Sequence, residues 1–392
     1  MLGSIYIGLS GLSAYSNGLK SVSNNVSNLN TTGFKTTNVT FSGVYGSGSS
    51  GNLEYGYQYD GAGHGVTADK GLLDFSQGEL RQTGRDLDLA IDGNGFLVLF
   101  DGSNQFFLRT GSFDVDEKGY VVLSGTKYRL AVLDGSGQPA DVNVDDYRTY
   151  APVKTTTVTF ADNLSSTATT ATVSDIKVVG NDGVAKIWTA TFTRNSETGT
   201  DWTVKVTDDT GKNVGEQTLN FTNGAPDPAT SKLTFTDSDS GVSVDFDFSQ
   251  NVTSYSSGTV SSLRAAEVDG HEAGTIATLL VNDKGHLEIT YTNDEKKDLG
   301  AVAVADFREP QRLTQLSNGL FRVEGELKHD LLAAEDTRVG TIRTKMLEAS
   351  NVDLGAEFGD LILIQRGFQA SSQVISVSND MIQQLFGIRG GG

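Results

Sequence analysis

Cysteine is absent from this chain of 392 residues, and proline, tryptophan and histidine are scarce. Without cysteine there can be no disulfide bond, no thiolate ligand for zinc and no cysteine nucleophile. The histidines are scattered without the spacing of a metal site, so we expect solvated turns at His64, His271, His286 and His329. The sequence therefore predicts no metal and no cofactor.

Basic charge and long apolar runs are also in short supply. The formal net charge is −19, which disfavours nucleic acid as a partner because the phosphate backbone repels an acidic chain. No stretch approaches the roughly 20 apolar residues of a membrane span. The first 20 residues lack a basic start, and glycine and serine interrupt their apolar positions. If the protein leaves the cytoplasm, we expect a route without a cleaved signal peptide.

The charge that is present is unevenly distributed. Residues 1–40 contain Lys20 and Lys35 and no acid, and residues 351–392 contain four acids and two arginines. The ends therefore carry +2 and −2, which cancel, so residues 41–350 hold the whole −19. Two nearly neutral ends flank an acidic middle, which indicates different environments for these parts.

Apolar residues at helical spacing mark both ends. The N-terminal stripe contains Leu2, Ile5, Leu9, Leu12, Leu19, Val22, Val26 and Leu29. The C-terminal stripe contains Leu354, Leu361, Phe368, Ile375 and Ile382, seven apart, and is widened by Phe358, Ile364, Met381, Leu385 and Phe386. Ser350 with Asp353 predicts a capping box before the second helix. The other helix faces are polar but largely uncharged.

Such helices are marginal alone, because their buried side chains offset only part of the entropy lost on ordering. We therefore expect them to pack on one another and on copies from other subunits. The simpler alternative is a helix pair within one monomer. The predicted interface residues are Ile5, Leu9, Leu12, Leu19, Val26, Leu29, Leu354, Phe358, Leu361, Phe368, Ile375, Ile382 and Leu385.

The middle of the chain has β periodicity. Short apolar or alternating runs such as 96–100, 121–123 and 276–281 are separated by glycine-containing turns. Residues 36–70, rich in glycine and tyrosine, predict a flexible linker. Composition shifts to Thr, Ser, Val and Asp over 151–265, where Trp188 and Trp202 are candidate core anchors.

The sequence contains no convincing motif for metal binding or catalysis. Asp114 to Gly119 begins like a calcium loop, but Lys118 and Gly125 stand where ligands belong, so we predict a hairpin turn. Acids are plentiful, yet no spacing singles out a catalytic pair. The chain is predicted not to be an enzyme. An extracellular carbohydrate-binding or hydrolytic β protein is the alternative from another class.

Several segments resemble the bacterial flagellar rod and hook family. Near the start these are Gly8 to Leu12, Asn24 to Asn28 and Thr32 to Lys35. Further on they are Asp74 to Leu80, Leu87 to Phe96, Glu348 to Leu354 and Gln365 to Ala370. The motif positions are Asn24, Asn25, Asn28, Gly33, Phe34, Asn351, Asp353, Gln365 and Arg366. The blocks occur in the family's order along the whole chain.

The resemblance implies a multidomain, mainly β protein with terminal α-helices and a nested, discontinuous architecture. Residues 1–35 and 346–392 would form an inner, coiled-coil-like polymerisation layer. Residues 71–150 and 266–345 would form a middle antiparallel β domain, and 151–265 an outer one. The large insertion, with Thr290 to Asn293 and Leu299 to Phe307, favours the hook members over the shorter rod members.

The resemblance also implies a function. The chain would assemble with itself into the tubular hook, a flexible joint that transmits motor torque from rod to filament and encloses the export channel. Its further partners would be rod, hook-cap and hook–filament junction proteins, and the flagellar export apparatus that delivers it outside the cell. A stiff distal rod protein is the alternative within the family.

Overall fold

The computed structural model describes residues 2–44, 65–69, 71–196, 199–238, 240–325, 327–334 and 336–389. The chain divides into two compact units. The first consists of residues 1–145, 279–288 and 298–392, and the second of residues 146–278 and 289–297. The prediction of a mainly β protein with terminal α-helices is confirmed.

Two long helices, one from each end of the chain, belong to the first unit. Helix α1 is Leu2–Ser27 and helix α2 is Leu354–Arg389. Asp353 caps α2, since its Oδ1 accepts hydrogen bonds from the backbone N–H of Gly355 at 2.7 Å and Ala356 at 3.3 Å. The predicted capping box is therefore wrong: Ser350 lies upstream of the cap, and its hydroxyl accepts from Val352 N–H instead.

The strands of the first unit are short. Those before its insertion are β1 Thr37–Asn38, β2 Phe41–Gly43, β3 Val66–Ala68, β4 Leu72–Leu73, β5 Leu80–Gln82, β6 Asp88–Asp92, β7 Phe96–Asp101, β8 Asn104–Leu108, β9 Thr110–Val115, β10 Val121–Leu123, β11 Arg129–Leu133 and β12 Pro139–Asp141. A 3-10 turn at Val144–Tyr147 follows them.

The second unit contains β13 Thr149–Tyr150, β14 Thr157–Asn163, β15 Thr170–Val179, β16 Ala185–Arg194, β17 Asp201–Thr207, β18 Asn213–Thr222, β19 Ala225–Pro226, β20 Lys232–Thr236, β21 Ser243–Asp247, β22 Val252–Thr253 and β23 Arg264–Val268. The chain then passes between the units along β24 Gly274–Val281, β25 His286–Tyr291 and β26 Lys296–Ala301. These three and β13 form a sheet in the order β13-β24-β25-β26.

The remaining strands return to the first unit. They are β27 Ala303–Phe307, β28 Leu313–Gln315, β29 Leu320–Val323, β30 His329–Ala333, β31 Thr341–Thr344 and β32 Met346–Glu348, with 3-10 turns at Pro310–Arg312 and Ser317–Gly319. The large sheet runs β28-β29-β8-β7-β11-β10-β9-β6-β31, with β12 on β11, β27 on β7 and β30 on β27. Its core gathers Phe96, Val98, Phe107, Ala131, Ala303, Ala305, Phe307, Leu313 and Phe321.

In the second unit, two sheets surround one core. Their orders are β15-β16-β17-β18-β19 and β20-β21-β14-β22, with β23 on β14. Trp188 and Trp202 are almost fully buried in that core, as predicted. The unit is not wholly antiparallel, because β14 pairs in parallel with β21 and β22.

The described ends of the predicted 36–70 linker are ordered strands. Segment β2 pairs with β3, β1 pairs with β4, and the Ser10 hydroxyl of α1 accepts a hydrogen bond from Val66 N–H at 3.2 Å. These contacts provide backbone hydrogen bonds that glycine content alone does not reveal. Residues 45–64 and Lys70 lie outside the described residues.

Two local predictions have opposite outcomes. The hairpin at Asp114 to Gly119 is confirmed, since β9 pairs with β10 and Asp116 accepts from Lys118 and Tyr120 N–H. The prediction of solvated turn histidines is wrong for the described ones. His286 and His329 lie in β25 and β30, and His271 forms an isolated bridge with Val153. Each is partly buried by packing or pairing partners, whereas His64 lies outside the described residues.

The compact units also differ from the predicted domain limits. Residues predicted as separate inner and middle layers fall in one unit, and the second unit extends beyond 151–265. The physical reason for the first difference is a buried set of polar contacts between the chain ends and the sheet, which is described below.

Candidate assembly surface

The two helices meet along a seam of small residues. On α1 the side facing α2 carries Gly8, Gly11, Ala14 and Gly18, all of them buried. A Cβ added at Gly8 would lie 2.7 Å from Ile375 Cγ1, and one at Gly11 would lie 2.5 Å from Ser371 Oγ. A side chain larger than hydrogen at Gly8 or Gly11 would therefore require Ile375, Ser371 or the helices themselves to move.

An aromatic side chain fills one further position of the seam. Tyr15 lies against Gly367, where an added Cβ would be 2.3 Å from the ring. The Tyr15 ring also contacts Phe41 of β2, with ring centroids 5.2 Å apart. The glycine on α2 thus makes the space for an aromatic residue on α1.

A buried amide connects the helix pair to the short strand β1. The Asn25 side chain donates to Glu357 Oε1 at 2.8 Å and to Thr37 O at 3.2 Å, and its Oδ1 accepts from Thr37 N–H at 3.1 Å. Burial raises the pKa of the Glu357 carboxyl above its ordinary value of 4.5, against the hydrogen bond from Asn25, which lowers it.

A buried ion pair joins the two ends of the chain below the helices. Lys35 Nζ lies 2.7 Å from Glu348 Oε1, with both side chains fully buried, and it also donates to Ser76 O at 2.6 Å. Gly78 N–H donates to the same Glu348 oxygen at 2.7 Å. Burial lowers the pKa of Lys35, although the carboxylate opposes that shift.

A second buried cation completes this polar centre. Arg109 donates to the carbonyl oxygens of Gly95, at 2.6 Å, and Gly93, at 2.5 Å, and its Nε lies 3.7 Å from Glu348 Oε2. Burial also lowers its pKa. The three side chains bring together the segment after α1, the sheet, and the segment before α2.

Four of the nine family-motif residues, including Asn25, belong to these buried contacts. The Asn351 side chain donates to Asp74 O and accepts from Thr36 N–H, each at 2.8 Å. Gly33 has φ +69°, a conformation that glycine favours, and Phe34 is buried. The other five have different positions: Asp353 caps α2, Asn28 is partly buried, and Asn24, Gln365 and Arg366 are exposed.

The predicted interface residues differ in their exposure. Six are exposed in this single chain: Leu9, Leu19, Leu354, Phe358, Phe368 and Leu385. Seven are partly buried: Ile5, Leu12, Val26, Leu29, Leu361, Ile375 and Ile382. Ile375 packs against Gly8 in the seam, and the role of the set in assembly remains a prediction.

Further apolar side chains extend this exposed surface. On α1 they are Tyr6 and Ile7, and on α2 they are Ile362, Leu363, Val374, Val377, Met381 and Phe386. Together with the six exposed predicted residues they define the apolar helix surface. Leu363 is 67% exposed and Phe386 is 71% exposed. Water contact on this scale is costly for a helix pair and indicates a surface that another molecule covers.

Sequence reasoning missed the small-residue seam and the roles of Arg109 and Glu348. A signal for the seam exists, because Gly8, Gly11, Tyr15, Gly18, Val22 and Asn25 alternate at spacings of three and four. This spacing is easily overlooked, because a search for apolar residues at helical spacing does not count glycine as apolar. Lys35 and Glu348 are 313 positions apart, and no local pattern joins them.

Within the described part of the chain, no three His, Asp or Glu side chains are clustered as metal ligands would be. Among the same residues, neither helix combines the length and the apolar character required to cross a lipid bilayer.

Comparison with known proteins matches both ends of the chain to family models. Residues 5–35 match the flagella basal body rod protein model, and residues 343–388 match the flagellar basal body rod FlgEFG protein C-terminal model. These two stretches contain most of both helices together with Lys35 and Glu348, so the matched residues are those that build the seam and the buried ion pair.

Relatives match over almost the whole chain. The flagellar hook protein FlgE of Borreliella burgdorferi is 26% identical, over 98% of this chain and 99% of its own length. The flagellar hook protein FlgE of Escherichia coli K12 is 26% identical, over 97% of this chain and 98% of its own length. The flagellar hook protein FlgE of Treponema pallidum is 25% identical, over 99% of this chain and 100% of its own length.

A solved structure, the Helicobacter pylori flagellar hook protein FlgE2, matches with a TM-score of 0.48 and 12% identity. The match covers 69% of this chain and 100% of that one, and is too weak to assign a fold by itself. Both ends of this chain match family models of flagellar rod and hook proteins, and the chain is similar to flagellar hook proteins over almost its whole length.

Proposed function

We propose that this chain is a structural subunit of the flagellar hook and not an enzyme. Copies of it assemble into a tube that forms the flexible joint between rod and filament and encloses the export channel. The observation that carries the proposal is the apolar helix surface, on a chain that is similar to hook proteins from end to end.

Hydrophobic burial supplies the driving force for assembly. Fully burying a large apolar side chain contributes roughly 1.5–3 kcal/mol. Several such side chains on each helix are enough to offset the loss of translational and rotational freedom on association. Because the helix pair leaves many large apolar side chains exposed, this surface is available to neighbouring copies.

The charge distribution keeps repulsion away from these contacts. Residues 41–350 hold the whole net charge of −19, whereas the terminal segments sum to zero. Contacts between helices of neighbouring copies therefore bring few like charges together. The neutral polar residues of the helices also offer little electrostatic attraction to an unfolded chain that passes along the channel.

The location and remaining partners follow from the same proposal. The subunit leaves the cell through the flagellar export apparatus and resides in the extracellular hook. It contacts rod proteins at one end of the tube, junction proteins at the other, and a cap protein during assembly. Similarity to hook proteins over the full length favours this role over that of a rod subunit.

Electron microscopy of the purified protein at increasing concentration tests the proposal. We expect a monomer in dilute solution and hollow fibres above a critical concentration. The bending of those fibres separates the two family roles, because a hook tube is curved and flexible whereas a rod is straight and stiff. A protein that stays monomeric at high concentration contradicts the proposal.

A further inference from the structure

A cavity of about 650 Å³ lies beside the helix pair within the first unit. Its walls come from α1, from α2 and from residues 37–41 of the β1–β2 segment. Tyr15 and Phe41 supply two aromatic rings, and Glu357 and Asp360 supply two carboxyl groups. The cavity therefore combines aromatic faces with acidic groups.

No lysine or arginine stands among the described residues that line this cavity. Asn25 donates to one oxygen of Glu357, and within the described part of the chain Asp360 forms no ion pair. A site with aromatic and carboxylate walls and no cation of its own is complementary to a cationic side chain, which carboxylates attract and aromatic rings stabilise.

The helix pair also carries a cation without a partner. Arg366 is exposed on α2 and forms no ion pair within the described residues. It follows Asp360 by six positions, which places the two side chains about 120° apart around the helix. Arg366 therefore points away from the acid of its own chain and is available to another molecule.

We propose that this cavity receives Arg366 from a second copy of the chain, whose guanidinium pairs with Asp360 and Glu357 and packs on Tyr15 and Phe41. The inference rests on the proposed function, and adds to it a specific contact that sets the register between copies. We propose that the contact is not reciprocated between two copies, so that it is heterologous and its repetition extends a fibre instead of closing a dimer.

Arginine suits this site better than lysine, and Lys20 on α1 is a second cation that forms no ion pair within the described residues. A guanidinium is planar, forms paired hydrogen bonds to carboxylates, and stacks on aromatic rings, whereas an ammonium is compact and strongly hydrated. We therefore assign the contact to Arg366 and use Lys20 as a control.

Charge reversal with rescue tests the pairing in the full-length protein. The Arg366→Glu variant is expected to raise the critical concentration for fibre formation by about tenfold or more, because it brings like charges together. The Arg366→Glu, Asp360→Arg double variant is expected to return to within about threefold of the unchanged protein. Sedimentation measures the critical concentration, and circular dichroism verifies that each monomer keeps its helix content.

Two controls make the outcome specific. Lys20→Glu alone should leave the critical concentration nearly unchanged, and Arg366→Glu combined with Asp380→Arg should not be rescued. Normal assembly of Arg366→Glu, absence of rescue by Asp360→Arg, equal rescue by Asp380→Arg, or loss of assembly in Lys20→Glu each overturns the pairing. Failure of the unchanged protein to form fibres contradicts the proposed function instead, so the two claims are tested separately.

Discussion

At the residue scale, the buried pair of Lys35 and Glu348 joins the chain ends to the sheet. Both side chains are fully buried and 2.7 Å apart, and the carboxylate also accepts from Gly78 N–H. A buried pair is not in itself strong evidence of stability, because removing two charges from water is costly. Loss of Lys35 is a different matter, since Glu348 then keeps only Arg109 Nε, at 3.7 Å, as a balancing charge.

Lys35→Met should therefore destabilise the first unit by roughly 3–5 kcal/mol, as is typical when one member of a buried pair is removed. Glu348→Gln should destabilise the unit at least as much, because it leaves both Lys35 and Arg109 buried without a carboxylate. Denaturant unfolding measures both. The exposed pair of Arg81 and Glu79 provides the control: Arg81→Met should change the unfolding free energy by about 1 kcal/mol or less.

The buried Glu357 carboxyl predicts a pH dependence. Burial raises its pKa in the folded protein above the ordinary value of 4.5, so the folded state binds the proton more tightly than the unfolded state. Its contribution to stability is therefore greatest below pH 4.5 and falls as pH rises through the folded pKa. Glu357→Gln should be more stable than the unchanged protein at neutral pH, and the difference should vanish at low pH.

Thermal unfolding of both proteins between low and neutral pH measures this difference, and other groups cancel in the comparison. A constant gap at every pH, or a variant that is less stable at neutral pH, would show that burial does not govern this carboxyl.

At the element scale, the small-residue seam determines how closely α1 and α2 approach. Gly367 faces the Tyr15 ring, and an added Cβ would lie 2.3 Å from it, whereas Gly359 on the same helix has nothing within 4 Å. The two glycines have equal intrinsic cost in a helix, about 1 kcal/mol relative to alanine. They differ only in what their side of the helix meets.

Gly359→Ala should therefore stabilise the protein by up to about 1 kcal/mol through helix propensity. Gly367→Ala should destabilise it, because Tyr15 or the whole of α1 must move away from the seam. Unfolding monitored by circular dichroism gives both values. Equal effects of the two substitutions would show that the helices are not packed as described.

The apolar helix surface predicts a separation between folding and assembly. Phe368 is 43% exposed in the single chain, so Phe368→Asp should leave the monomer folded and yet abolish fibres, since a charge without a partner would be buried between copies. Ser372→Asp, at an exposed polar position nearby on α2, provides the control. Sedimentation and monomer unfolding separate the two effects, and normal fibres from Phe368→Asp would remove that residue from the interface.

At the scale of the whole molecule, the sequence predicts elements better than it predicts their partners. The buried strand at Phe96–Asp101 follows from five consecutive apolar residues after a glycine-rich turn, and both helices follow from apolar spacing. The order of the strands in the sheet cannot be predicted from the sequence in this way, because β31 pairs with β6 across some 250 residues. The sequence also does not predict which face of α1 is buried against α2, since the glycines of that face give no hydrophobic signal.

For the candidate assembly surface, too, the sequence predicts the elements better than their partners. The large apolar residues of the stripes are predicted to form contacts between copies, which stays a prediction; six of the thirteen are exposed in the single chain and seven are partly buried. This outcome is physically reasonable, because a subunit that forms a polymer must keep its strongest apolar contacts for its neighbours. A sequence taken alone does not distinguish contacts within a chain from contacts between copies.

Hydroxyl-radical footprinting of the dilute and the assembled protein tests most directly whether copies cover the apolar helix surface. Phe358, Met381 and Phe386 are exposed in the single chain, and so is Tyr255 in the second unit. The account predicts that the first three are oxidised in the monomer and protected in the fibre, whereas Tyr255 stays reactive in both. Unchanged oxidation of all three helix residues after assembly would contradict it.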